Sequence, residues 1–147
     1  MSPAAADTPL PPDRTWVEER LRNSHNYWLA TTRGDRRPHL VPIWGVWLEQ
    51  RFWFSSFAGF KVDNIATCPA VVLTSETPGE VVILDGTAET VSVGDLPDGY
   101  ARTFDAKYGP GWSGIDDERA LLLQVLPVKA RAWRESEATH PPARFAF

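Results

Sequence analysis

A proline set inside a long apolar strand is the feature that most restricts what this chain can become. From Tyr27 to Ile65 the residues read as strand, polar turn, longer strand, tight turn, short strand, then a small-residue loop carrying Lys61 and Asn64 into a helix. Residues Tyr27 to Thr32 are β-prone, and Arg33-Gly34-Asp35-Arg36 turns the chain into a second strand expected to run through Leu48. That strand is apolar at Leu40, Val41, Ile43, Trp44, Val46 and Trp47, so cover is expected on both of its faces, one of them from a second subunit. Pro42 lies within it and has no N–H to give to a ladder, which puts the strand at a sheet edge, at a bulge or beside a ligand.

The other elements follow from local signals. Residues 1–12, rich in Pro and Ala, read as a flexible arm ahead of a single domain over 13–147. Thr15 followed by Glu18 has the form of a capping box, and Val17 and Leu21 lie one helical turn apart, so a helix is expected over 15–24. After a turn at Glu49-Gln50, Phe52 to Ser55 forms a third strand, and Phe60 to Thr67 a helix stopped by Pro69. Strands follow at Ala70–Ser75 and Glu80–Val91, joined by a Pro78-Gly79 turn, with a bulge expected at Asp85-Gly86. Asp95 is placed to cap a helix running to Tyr108, Gly109-Pro110-Gly111 breaks it, and Asp116-Asp117-Glu118 opens a short helical turn. A last strand covers 121–134, interrupted by Pro127. Five or six antiparallel strands with helices between them point to a small β-barrel, and the missing Gly-rich βαβ turn argues against a dinucleotide-binding sheet.

Composition narrows the partners. A chain of 147 residues that is 43% hydrophobic, with seven Trp and seven Phe, can bury one real core without disulfides or metals. The net charge of -4 and the lack of a dense Lys/Arg block argue against nucleic acid or an anionic membrane as the main partner. A lone cysteine, Cys68, has no internal disulfide partner, no Cys/His spacing suits zinc, and no segment approaches the ~20 apolar residues of a membrane span. A cytoplasmic protein is expected.

Most catalytic motifs are missing as well. There is no GxSxG, Cys68 precedes a proline without a neighbouring base, and His25, His39 and His140 are scattered. The acidic pairs Glu18-Glu19 and Asp116-Asp117 point apart and read as solvated charge. What remains is the segment from Phe54 to Asn64. Its small residues let the backbone approach a ligand, the following helix offers free N–H groups, and Lys61 adds a full charge, a combination suited to phosphate. Beside the apolar wall Leu40-Val41-Pro42-Ile43-Trp44, a flat molecule with a phosphate tail would fit. By spacing alone, a solvated lysine on a surface helix is the commoner arrangement.

The run WLATTRGDRRPHLVPIWGVWLEQRFWFSSFAGFKVDNIATCPAVVLTSE resembles the core of the pyridoxamine 5'-phosphate oxidase-like flavin and deazaflavin oxidoreductases. The shared pattern is a strand with spaced prolines before a tryptophan, a Ser/Thr loop, then K-x-x-N-L and P-x-V. EVVILDGTAETV and the closing ARFAF extend the likeness over about residues 15–147, and WGVW with a short C-terminal arm is most similar to the branch that uses coenzyme F420. The resemblance implies a mainly β, six-stranded antiparallel split β-barrel, FMN-binding-protein-like, with added helices. It also implies a homodimer with cofactor sites at the subunit interface, and hydride transfer from reduced F420 to a C=C or C=N bond of a small-molecule substrate. Carried over by position, Val41, Pro42, Ile43 and Trp44 line the ring, while Ser55, Ser56, Lys61 and Asn64 hold the ribityl chain and phosphate. Where many relatives have S-R-K this chain has Gly59-Phe60-Lys61, and the lost arginine removes a bidentate phosphate contact that Arg144 of the C-terminal arm is the candidate to replace. The proton donor stays open between His39, Arg37 and water, and the loop Tyr108–Ser113 is expected to shape the pocket over the ring. The alternatives are an FMN-dependent enzyme of the same barrel and a non-catalytic carrier of flavin, deazaflavin or haem.

Overall fold

The computed structural model describes residues 12–77, 79–137 and 141–147. The expected N-terminal arm therefore lies, except for Pro12, outside the described residues, as do Pro78 and His140. The first helix, α1 (Arg14–Asn23), starts ahead of the expected capping box because Asp13 takes the N-cap: its carboxylate accepts the Trp16 N–H at 2.9 Å, and an acid there also suits the helix dipole. α1 buries Trp16, Val17 and Leu21, and Arg20 ties it to the sheet through Glu80 at 2.6 Å.

The strands are β1 (Tyr27–Thr32), β2 (Pro38–Ile43), β3 (Val46–Leu48), β4 (Arg51–Phe57), β5 (Ala70–Ser75), β6 (Glu80–Val91), β7 (Ala120–Arg134) and β8 (Ala143–Ala146). They form one curled antiparallel sheet in the order β2-β1-β5-β6-β7-β4-β3, with β8 paired to β7. The expected mainly β fold is present, but with eight strands among the described residues rather than six. One extra strand arises because the chain breaks at Trp44-Gly45 instead of running through to Leu48. There the Gly45 N–H donates to Tyr108 Oη at 3.0 Å and its carbonyl accepts from Lys107 Nζ at 3.0 Å, so neither group is paired to a strand, and the backbone lies so close to Phe52 that a Cβ would stand 2.2 Å from its Cζ. The other is β8, which folds back along β7.

β2 is an edge strand, which explains how it tolerates Pro42. Its side chains alternate: Val41 and Ile43 point inward, while Pro38, Leu40 and Pro42 are exposed, so within the chain only one face is covered. The Glu49-Gln50 turn has both residues at positive φ, 53° and 59°, the geometry of a tight two-residue hairpin. In β6 the register shifts at Asp85/Gly86, as expected; Pro127 does not end β7 but sits at that shift, opposite Gly86. The helix expected from Asp95 begins later. Ser92 and Asp95 close a single 3-10 turn, Leu96 is held extended by the following Pro97, and α3 (Tyr100–Tyr108) starts only after Gly99, whose φ is 82°. Residues 116–118 form turns without a helix.

Beneath the sheet lies a core of Val17, Leu21, Tyr27, Leu29, Phe52, Phe54, Leu73, Leu84, Leu123 and Val125, each fully buried. Side chains of this kind contribute about 1.5–3 kcal/mol apiece when removed from water. A smaller cluster of Val46, Trp53, Tyr100, Phe104 and Leu122 seats α3 on the far side of β4. No helix among the described residues is long and apolar enough to cross a membrane.

Candidate functional site

Where β2 ends, β4 ends and α2 (Phe60–Thr67) begins, the chain encloses a cleft of about 470 Å³. Pro42, Ile43 and Trp44 form one wall; Ser55, Ser56, Phe57 and Lys61 form the opposite one; Phe104 lies between. The lip comes from the α3–β7 loop, through Gly111, Trp112, Gly114, Asp117 and Arg119. That loop is pinned to β4. Gly114 has φ 82°, and a Cβ there would stand 2.6 Å from that of Ser55.

Trp44 is held on several sides. Its indole N–H donates to Asn26 Oδ1 at 2.9 Å, its ring stacks on Tyr108 with centroids 4.7 Å apart at 10°, and Trp112 meets it edge-on at 5.6 Å. Tyr108 in turn accepts the Gly45 N–H at 3.0 Å and donates to the His25 carbonyl at 2.7 Å. Lys107 donates to Tyr27 Oη at 2.6 Å and to the Gly45 carbonyl at 3.0 Å. Burial pushes the Lys107 ammonium down to about 8 and the Tyr108 phenol up to about 12. The end of α3 thus clamps the backbone immediately after the tryptophan.

The opposite wall offers donors, beside one carboxylate, Asp63, in the first turn of α2. Gly59 caps α2 without a side-chain bond, so the first-turn N–H groups keep their donor capacity. Lys61 stands in that first turn, half-buried, with its ammonium pushed below its ordinary value by desolvation, and makes no ion pair or hydrogen bond with the described residues. At the lip, Arg119 lies 5.3 Å from the Phe57 ring and is held by both Asp117 carboxylate oxygens at 3.1 Å.

Of the residues singled out by sequence, Pro42, Ile43, Trp44, Ser55, Ser56 and Lys61 come together here. Three do not. Val41 packs on the main core, Asn64 is buried and donates to Thr31 Oγ1 at 3.0 Å to hold α2 on β1, and Arg144 lines a separate groove on β8. Arg37 is an exposed residue of the hairpin turn, and His39 faces Phe60 with its Nδ1 unpartnered; neither lines the cleft. Sequence reasoning passed over Arg119, Lys107 and Asn26. Trp112 had a readable signal, a large aromatic in a Gly/Pro loop, whereas nothing local marks Arg119.

The pyridoxamine 5'-phosphate oxidase family profile matches residues 15–135, and the chain belongs to that family. Among solved structures it is similar to a conserved hypothetical protein of Mycobacterium tuberculosis (18% identity, TM-score 0.69, 92% of each chain covered). An F420 reductase is similar at 24% identity, TM-score 0.61, over 77% of this chain and 94% of that one. HutZ, the haem storage protein of Vibrio cholerae, is similar at 16% identity, TM-score 0.63, over 78% of this chain and 89% of that one. At these identities the likeness shows the fold. Comparison with curated protein sequences gives no match.

Proposed function

We propose that the chain is an oxidoreductase that uses reduced coenzyme F420 to transfer a hydride to an unsaturated small molecule. The observation that carries this reading is the pairing, in one cleft, of the apolar side chains of Pro42, Ile43 and Trp44 with a half-buried ammonium that has no partner among the described residues, at a helix start without a side-chain cap. The two halves suit a planar heterocycle and its anionic tail. When bound, reduced deazaflavin supplies a hydride from its ring carbon to a C=C or C=N bond. The protein's part is positional. Pro42, Ile43 and Trp44 set the ring face; Lys61 and the first turn of α2 hold the phosphate, with Ser55 and Ser56 as hydroxyl donors to the chain between; Trp112 narrows the mouth and limits water. Arg119, rather than Arg144, is the second cation within reach of the cleft of a single chain.

A second copy of the chain completes the proposal. Trp28, Leu40 and Pro42 share the outer face of the β1–β2 edge, with Leu40 61% exposed, and Phe60 at the start of α2 is 73% exposed. These exposed apolar side chains beside the cleft favour a homodimer with the sites at its boundary.

FMN use and haem carriage are the competing readings, the second supported by the haem storage neighbour. Spectroscopic titration of the purified protein with reduced F420, FMN and haem ranks them. Saturable F420 binding together with its consumption in the presence of unsaturated acceptors supports the proposal; tight haem or FMN binding without F420 affinity overturns it.

A further inference from the structure

Arg131 of β7 and Arg144 of β8 are direct partners in the antiparallel register, which places both side chains on one face. Directly opposed residues have Cβ atoms about 4.5–5.5 Å apart, and like charges at that spacing are destabilising. Lys129 stands two residues earlier on the same face, opposite Asp85 of β6 and Ala146 of β8. A groove of about 550 Å³ runs over these residues, with Phe145 along its edge. Its lining holds three cations and one carboxylate, and that carboxylate, Asp85, is already engaged by Lys129 at 3.7 Å. Neither guanidinium has a carboxylate partner among the described residues. In a chain of net charge -4, this is a local reversal of sign at the cost of placing arginine against arginine.

Two planar forks at strand spacing match the oxygens of a phosphate group, which removes the repulsion by standing between them. We propose that the Arg131–Arg144 groove is a second anion site, taking a phosphate-bearing ligand, separate from the cleft around Lys61. Within one chain the two cavities share no lining residue.

The test uses inorganic pyrophosphate with the full chain, read by titration calorimetry and by thermal melting against sodium chloride of matched ionic strength. Lys61→Ala silences the cleft and is expected to keep pyrophosphate binding at one per chain. Arg131→Gln/Arg144→Gln is expected to lose at least about tenfold in affinity. Arg144→Gln alone, at low salt and without pyrophosphate, is expected to melt above the unsubstituted chain, because the repulsion is gone, and to gain nothing from added pyrophosphate. Equal binding by the double glutamine variant, binding abolished by Lys61→Ala, or a melting temperature for Arg144→Gln at or below that of the unsubstituted chain each overturns the proposal.

Discussion

Tyr108→Phe isolates the clamp behind Trp44. The substitution keeps the aromatic ring, and with it the stack on Trp44 at 4.7 Å, but deletes the oxygen that accepts the Gly45 N–H and donates to the His25 carbonyl. His25 is exposed, so its carbonyl finds water at little cost; Gly45 is buried, and its N–H is left without a partner. An orphaned buried donor costs about 1–3 kcal/mol. Taking about 2 kcal/mol, and roughly 2–4 °C per kcal/mol for a domain near this size, the melting temperature should fall by roughly 4–8 °C. Tyr108→Leu, which also loses the stack, should fall further by about 0.5–1.5 kcal/mol or more. Urea and thermal unfolding of the three proteins measure this directly. A Tyr108→Phe protein that melts within about 1 °C of the parent would refute the reasoning, because the phenol would then be dispensable to the backbone it is said to hold.

The same clamp predicts a pH signature. Lys107 titrates near 8 when folded and at its ordinary 10.5 when unfolded, so the cost of burying its charge is fully present below 8 and is relieved as pH rises toward 10.5. The Tyr27 and Tyr108 phenols are raised above their ordinary 10, so their contribution is intact below 10 and is lost as pH climbs through the folded values, about 12 for Tyr108. The urea midpoint should therefore rise from pH 8 toward 10 and fall beyond it, and Lys107→Met should flatten the rise; an unchanged rise in that variant would assign it to another group. Gly45→Ala should destabilise by about 1–3 kcal/mol or more, since its Cβ would press on Phe52 at 2.2 Å and on the Trp53 carbonyl at 2.7 Å. Gly34→Ala, with nothing within 4 Å, should stay within about 0.5 kcal/mol, and similar losses at both glycines would contradict the steric account.

Elements governed by neighbours in sequence were the legible ones. The β1–β2 turn, the end of α2 before Pro69 and the bulge at Asp85-Gly86 each follow from residues within a few positions. Elements decided across space were not. At the break at Trp44-Gly45 the backbone bonds to Tyr108 and Lys107 of α3, far along the sequence, and β8 exists because it finds β7 more than ten residues back. Asp95 has the local form of a cap for α3, but the extended geometry that Pro97 forces on Leu96 delays the helix until after Gly99. At the cleft, Pro42, Ile43 and Trp44 meet Ser55, Ser56 and Lys61 because the sheet curls until its β2 edge approaches β4 near the other end of the strand order, a closure that only the connecting run of sequence, not any pairing of β2 with β4, suggests. Arg119 and Trp112 arrive on a loop whose path depends on Gly114 lying against Ser55, a contact that no local pattern encodes. Asn64 shows the converse: it stands at the right spacing from Lys61, but its amide is buried and spent on Thr31 rather than free for a ligand.

The central claim is that Lys61 grips the anionic tail of a planar redox cofactor lying against Trp44. Its most direct test is the dissociation constant for coenzyme F420, measured by fluorescence titration of the parent chain and of Lys61→Ala. Loss of a charged hydrogen bond of about 1.5–3 kcal/mol predicts a constant raised about 10- to 150-fold. The same constant in both proteins, or no binding by the parent, would contradict the account.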